Sequence, residues 1–141
     1  MKKINEATIE KLLAEARDAR KFSYAPYSHL RIGAAVLGKN GAIFKGCNIE
    51  NMSYGVVMCA ERVAIFNAIS SGVQEIEALA ISCEDEELSY PCGACRQVIS
   101  EFSKDALIII GAERGEYITE SIEKLLPQGF FSHKLKSPKD C

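Results

Sequence analysis

Cys59-Ala60-Glu61-Arg62 and Pro91-Cys92-Gly93-Ala94-Cys95 decide how the rest of the chain is read. Neither stretch is informative alone. A bare C-x-x-C serves structural zinc, redox chemistry or nothing at all, and a Cys two residues before a Glu is weaker still. Together they offer three thiols able to hold one Zn²⁺, and a carboxylate close to the first. A structural zinc is closed by four protein ligands, whereas a catalytic zinc takes three and keeps the fourth position for water. With Cys59, Cys92 and Cys95 as the ligands, Glu61 is left as a proton carrier rather than a ligand.

Both Cys59 and Cys92 fall where the apolar pattern starts a helix. Helix N-termini carry unpaired N–H groups and the positive end of the dipole, which favour thiolate over thiol. Zinc held by three thiolates is formally anionic and a weak Lewis acid. Arg62 and Arg96 are therefore expected to return positive character by hydrogen bonding to the sulfurs; the plainer role for Arg62 is a surface ion pair. The rival is a closed Cys₄ site, for which Cys47, Cys83 and Cys141 are spare thiols. Nothing in a structural site calls for Glu61, and strand cysteines such as Cys47 and Cys83 behave as small apolar residues. His29 and His133 lie far from every paired thiol in the sequence and are not proposed as ligands.

Composition narrows the classes further. At 141 residues the chain reads as one domain, 1–141, long enough to bury a core. A net charge of −2, no long Lys/Arg cluster and no Trp argue against a polynucleotide partner. The N-terminus runs into a charged helix, so neither a signal peptide nor a membrane span is expected. Six unevenly spaced Cys without a secretory signal favour metal binding over disulfides. The cytoplasm is the expected compartment.

Along the chain, Asn5 is expected to cap a helix reaching about Arg20, with Ile9, Leu12, Leu13, Ala16 and Ala19 on its apolar face. The Pro and aromatics of 22–28 read as an ordered loop. Residues 31–37 and 42–47 form a hairpin around Asn40-Gly41, a pair that supplies the positive φ angles of a tight primed turn. Asn48-Ile49-Glu50-Asn51 at the strand end is either a solvated loop or a polar binding segment. A buried helix over 59–71 stops at Gly72, a central strand covers 76–83, and the acidic run 84–87 is an exposed loop. A second buried helix spans 92–102 and a strand 106–110. The short link 111–115 makes the next strand, near 116–118, antiparallel, and Thr119 caps a last helix ending at Pro127. This order predicts an α/β fold with a mixed sheet and helices on both faces.

Four motifs in this order, Tyr24-Ala-Pro-Tyr-Ser, Gly46-Cys-Asn-Ile-Glu-Asn, Cys59-Ala-Glu-Arg and Pro91-Cys-Gly-Ala-Cys-Arg-Gln, resemble the small cytidine deaminases. The resemblance spans nearly the whole chain, through Leu125-Leu-Pro and Phe130. It implies a three-layer α/β/α fold with a five-stranded sheet, and hydrolytic deamination of cytidine and 2′-deoxycytidine in nucleoside salvage. It also implies a homotetramer with shared active sites. Carried over by position, Cys59, Cys92 and Cys95 bind zinc, and Glu61 moves a proton from water to the ring N3 and then to the departing amine. Asn48 and Glu50 take the ribose, and the Ala60 N–H meets the pyrimidine O2. Phe130 closes a pocket of a neighbouring subunit, and Tyr54 is an intersubunit contact. One position departs: Leu30 stands where the family usually has a Phe packed on the base. The remaining alternatives are deamination of a related nucleoside such as blasticidin S, a polynucleotide deaminase, which the charge disfavours, and a non-catalytic zinc module.

Overall fold

The computed structural model describes residues 3–130. Asn5 opens helix α1 (Glu6–Ala19) by accepting from the Thr8 N–H at 2.8 Å, and Ile9, Leu12, Ala16 and Ala19 are its buried residues. Strands β1 (Ile32–Gly38) and β2 (Ile43–Cys47) form the expected antiparallel hairpin. Its turn differs from the expected one. Only Gly41 takes the left-handed backbone, at φ 86°, while Asn40 stays in the ordinary region. The Gly41 N–H bonds the Gly38 carbonyl and the Gly38 N–H bonds the Ala42 carbonyl, each at 2.9 Å. This is the three-residue loop of a type I turn followed by a glycine bulge. Asn40 contributes its side chain instead, accepting from the Ala42 N–H at 3.0 Å, and is spared the steric cost of a left-handed conformation.

The sheet runs β2-β1-β3-β4-β5, with β3 (Ile76–Cys83) at its centre. β1 is antiparallel to both its neighbours, β4 (Leu107–Gly111) is parallel to β3, and β5 (Tyr117–Ser121) is antiparallel to β4. Thr119 is not a helix cap: it pairs with Ile109 inside β5. The β-branched pair Ile118-Thr119 continues the strand, which suits a pleated surface. Ser121 caps the following short helix α4 (Ile122–Leu125), its Oγ accepting from the Lys124 N–H at 3.3 Å.

Alternate strand residues face opposite layers. Ala35, Ala78, Ala80 and Ile109 pack with α1 on one side. Ala34, Val36, Leu79, Ile81, Ile108 and Ile110 pack on the other with α2 (Ala60–Ser70) and α3 (Gly93–Phe102). The result is the three-layer α/β/α arrangement that the element order predicts. At Gly46 of β2 a Cβ would lie 2.4 Å from the Ala64 nitrogen and 2.7 Å from the Ala60 carbonyl oxygen. Only glycine lets the first turn of α2 press onto the sheet there.

The topology then sets where the helices begin. β2 and β3 are both antiparallel to β1, so they run parallel and their C-terminal ends share one edge of the sheet. Each leads through an irregular segment into a helix on the same face, α2 after β2 and α3 after β3. Two helix N-termini are thereby aimed at one place.

Candidate metal centre and active site

Cys59 and Cys92 are the N-cap residues of α2 and α3, and Cys95 lies in the first turn of α3. Their sulfurs gather within 4.8 Å of one another, and the Cys59 and Cys92 sulfurs are 3.8 Å apart. That separation is far beyond a disulfide bond of about 2.05 Å. It matches the edge of a tetrahedron with zinc–sulfur bonds of about 2.3 Å, which is about 3.8 Å. The donor set, three soft sulfurs within 4.8 Å of one another with one pair at the tetrahedral edge length, therefore fits zinc. Cys95 is buried and Cys92 is exposed, so the cluster opens to solvent on one side. Among the described residues no fourth Cys, His, Asp or Glu joins the group. Cys83 is buried in its strand and Cys47 is half-buried, with burial pushing its thiol up. Cys141 and His133 lie outside the described residues.

The charges within the cluster are strongly linked. A hydrogen bond with the Cys95 thiol, followed by the Arg62 guanidinium, holds Cys59 down to about 5. The same Cys59–Cys95 bond, with burial and the nearby Glu61, pushes Cys95 up. The protein by itself thus favours one thiolate, and a dication would displace the protons of the other thiols. Arg62 Nη2 donates to the Cys59 sulfur at 3.2 Å, the contact expected of it. Arg96 behaves otherwise. Its Nε donates to the Pro91 carbonyl and its Nη1 to the Leu125 carbonyl, each at 2.8 Å. These bonds tie the backbone just before Cys92 to the end of α4, and take the guanidinium to carbonyls rather than to a sulfur.

Glu61 occupies the first turn of α2 and is only 5% exposed. Its Oε2 lies 3.6 Å from the Cys95 Sγ. Burial, with the Cys59 thiolate beside it, raises its carboxyl above the usual range. A carboxyl shifted in this direction exchanges protons nearer neutral pH.

The polar segment after β2 is ordered by contacts distant in sequence. Asn48 is buried; its Oδ1 accepts from the Ile32 N–H at 3.0 Å and its Nδ2 donates to the Leu30 carbonyl at 2.7 Å. Glu50 Oε1 accepts from the Tyr27 and Ser28 N–H groups at 3.0 and 3.1 Å. The bonds from Ser28, more than that from Tyr27, hold its carboxyl below its usual value. Both side chains thus brace the chain around the loop 24–30. Tyr27, Ser28, Glu50, Asn51, Tyr54 and Val57 line an open depression of about 290 Å³. A larger cleft of about 410 Å³ lies at the opposite end of the sheet, lined by Ile4, Lys39, Asp105 and Thr119 among others, and holds none of the thiols. Leu30 is half-buried, whereas Tyr54 and Phe130 are 77% and 82% exposed. The roles of Tyr27 and Ser28 as amide donors to Glu50 carried no signal in the sequence, because backbone groups of any residue can serve.

An α/β protein with an open cysteine triad at two converging helix starts is the class that this fold and site define. The chain belongs to the family described as the cytidine and deoxycytidylate deaminase zinc-binding region, whose model matches residues 6–111. It is 44% identical over 128 residues to a cytidine deaminase of Sporosarcina psychrophila, covering 90% of this chain and 94% of that one. Among solved structures, a cytidine deaminase from Burkholderia pseudomallei superposes with a TM-score of 0.84 at 38% identity, covering 90% of this chain and all of that one. A blasticidin-S deaminase of Bacillus cereus is less similar, at 32% over 104 residues, covering 68% of this chain and 74% of that one.

Proposed function

We propose that this chain is a zinc-dependent cytidine deaminase that converts cytidine and 2′-deoxycytidine, with water, to the corresponding uridines and ammonia in pyrimidine salvage. The observation that carries the reading is the meeting of three thiols with a buried carboxylate at two helix starts, open on one side. Cys59, Cys92 and Cys95 would hold the zinc. When bound, zinc supplies the Lewis acidity that makes water nucleophilic near neutral pH. Glu61 takes one proton of the attacking water and delivers it to N3 of the ring as the C4–O bond forms. It then takes the remaining proton from the oxygen on C4 and gives it to the amine, which leaves as ammonia as the C4=O bond forms. Its raised pKa suits both directions of transfer. Arg62 offsets the charge on Cys59 through its hydrogen bond. The Ala60 N–H, in the first turn of α2, meets the pyrimidine O2. Asn48 and Glu50 take the ribose hydroxyls with the atoms left over from bracing their loop.

A homotetramer with shared pockets is part of the same reading. Met52, Tyr54, Val56 and Phe130 leave large apolar groups exposed on the single chain, the kind of surface that marks an interface. Tyr54 is assigned to a subunit contact and Phe130 to the pocket of a neighbour. We place the enzyme in the cytoplasm, where reducing conditions keep ligand thiols free; no helix of the described residues is long and apolar enough to cross a membrane. If the pocket is shared, Phe130→Ala raises KM, and dilution below the assembly constant lowers specific activity. Sedimentation of a fully active monomer would exclude sharing.

Leu30 bears on affinity. Its N–H is held by Ser28 Oγ at 3.1 Å and its carbonyl by Asn48, so a side-chain change leaves the backbone fixed. An aliphatic group can bury a base face but cannot stack on it. Aromatic pairing adds about 0.5–1.5 kcal/mol beyond area, so Leu30→Phe is expected to lower KM for cytidine by roughly two- to tenfold with kcat little changed. Steady-state kinetics giving an unchanged or higher KM would mean that the pocket is built around leucine.

One assay discriminates the substrate classes: loss of cytosine absorbance with release of ammonia, run on cytidine, on blasticidin S and on a cytosine-containing oligonucleotide. Turnover of cytidine far above the other two is expected. Preference for blasticidin S or the oligonucleotide would reassign the enzyme, and inertness toward all three would favour a non-catalytic zinc module.

A further inference from the structure

The geometry points to Gln97 as a positioning residue that fixes Phe130 from the metal-bearing helix. Gln97 lies on α3, two residues beyond Cys95. Its Nε2 donates to the Phe130 carbonyl at 2.8 Å. Arg96 beside it donates to the Leu125 carbonyl at 2.8 Å. The two consecutive side chains thus hold the segment 125–130 at both ends. Between these anchors the chain makes no regular element after α4, and Gln128 takes a left-handed backbone at φ 55°. A non-glycine residue in that region is sterically costly and is kept only when its surroundings impose it. The Phe130 ring itself is 82% exposed, so packing within its own chain does little to aim it. The bond from Gln97 therefore does the aiming, and it starts from the helix that carries Cys92 and Cys95. The residue that holds Phe130 and two of the three ligand thiols thus belong to one helix start and its first turns.

This inference rests on the reading of Phe130 as a pocket residue, and the test separates the two. Gln97→Leu keeps the bulk and loses the donor; Gln97→Lys keeps a donor of comparable reach. A neutral hydrogen bond near the surface is worth about 0.5–1.5 kcal/mol, so Gln97→Leu should raise KM for cytidine by roughly two- to tenfold. Turnover number and zinc content should be unchanged, and Gln97→Lys should stay near the parent. Introduced into Phe130→Ala, Gln97→Leu should add little, because the ring it positions is gone. An equal KM increase in both backgrounds would overturn the proposal. Should Phe130→Ala prove silent, the pocket reading fails, and amide hydrogen exchange decides the tether by itself. Gln97→Leu is expected to speed exchange across residues 126–130 relative to the parent and to Gln97→Lys. Unchanged exchange there would refute the tether.

Discussion

Glu61→Gln is expected to abolish turnover almost completely while zinc stays at roughly one per chain. Glutamine preserves the size and place of the side chain and removes its capacity to carry a proton. Loss of a general acid–base costs ~10²–10⁴-fold in rate, and a residue used for several proton transfers belongs at the upper end. Stability should move in the opposite direction. The Glu61 carboxyl is 5% exposed and its pKa is raised, chiefly by burial. The folded chain therefore binds this proton more tightly than the unfolded chain. Its contribution is full below the ordinary carboxylate value of 4.5 and is lost as pH rises through the raised folded value. The amide that replaces the carboxyl has no proton to lose, so in the metal-free protein the substitution should flatten this dependence and raise Tm above that window. Near-parental turnover in Glu61→Gln would remove Glu61 from the proton path. A fall in Tm that is as large at low pH as at high pH would place its cost in packing rather than in charge.

Cys92→Ala should lose metal and stability together. The Cys92 sulfur is one of three in the cluster and also accepts from the Cys95 N–H at 3.5 Å, which caps α3. Removing a capping acceptor costs about 0.5–2 kcal/mol. Metal bound only by the folded state adds its own binding energy to folding, and that is lost as well. Cys92→Ser separates the two effects, since a hydroxyl can cap the helix but is a poor ligand for zinc. Metal analysis should show both variants depleted, with Cys92→Ser melting above Cys92→Ala. Full zinc occupancy in either would remove Cys92 from the ligand set.

Local chemistry explains what the sequence makes legible. Apolar periodicity places the helices and strands through β4 within a residue or two, and Cys59 and Cys92 at the helix starts follow from that pattern; β5 runs three residues past 118 and α4 starts correspondingly later. The meeting of the three sulfurs needs one more step, the parallel run of β2 and β3 across β1, which the order of elements restricts but does not dictate. The departures share a cause: each turns on a partner distant in sequence or on the choice between two local options. Proximity along the chain matches Arg96 to the sulfurs, yet it reaches Leu125, whose carbonyl comes close only after α4 has docked. Thr119 can cap a helix or pair in a strand, and its partner Ile109 decides. Asn40-Gly41 marks the turn, while the bond from Ala42 to the Asn40 side chain accompanies a turn of another type. Asn48 and Glu50 stand out in the sequence as polar groups at a strand end, but their bonds to Ile32, Tyr27 and Ser28 belong to the folded chain alone.

The central claim is that one zinc on Cys59, Cys92 and Cys95 equips the site to deaminate cytidine. Its most direct test is cytidine turnover measured on a single preparation as zinc is stripped by a chelator and then restored, with metal content determined at each point. Ammonia release should fall in proportion to zinc, vanish in the stripped protein, and return in full at roughly one zinc per chain. Undiminished turnover by zinc-free protein, or a zinc-loaded protein inert toward cytidine, would contradict the account.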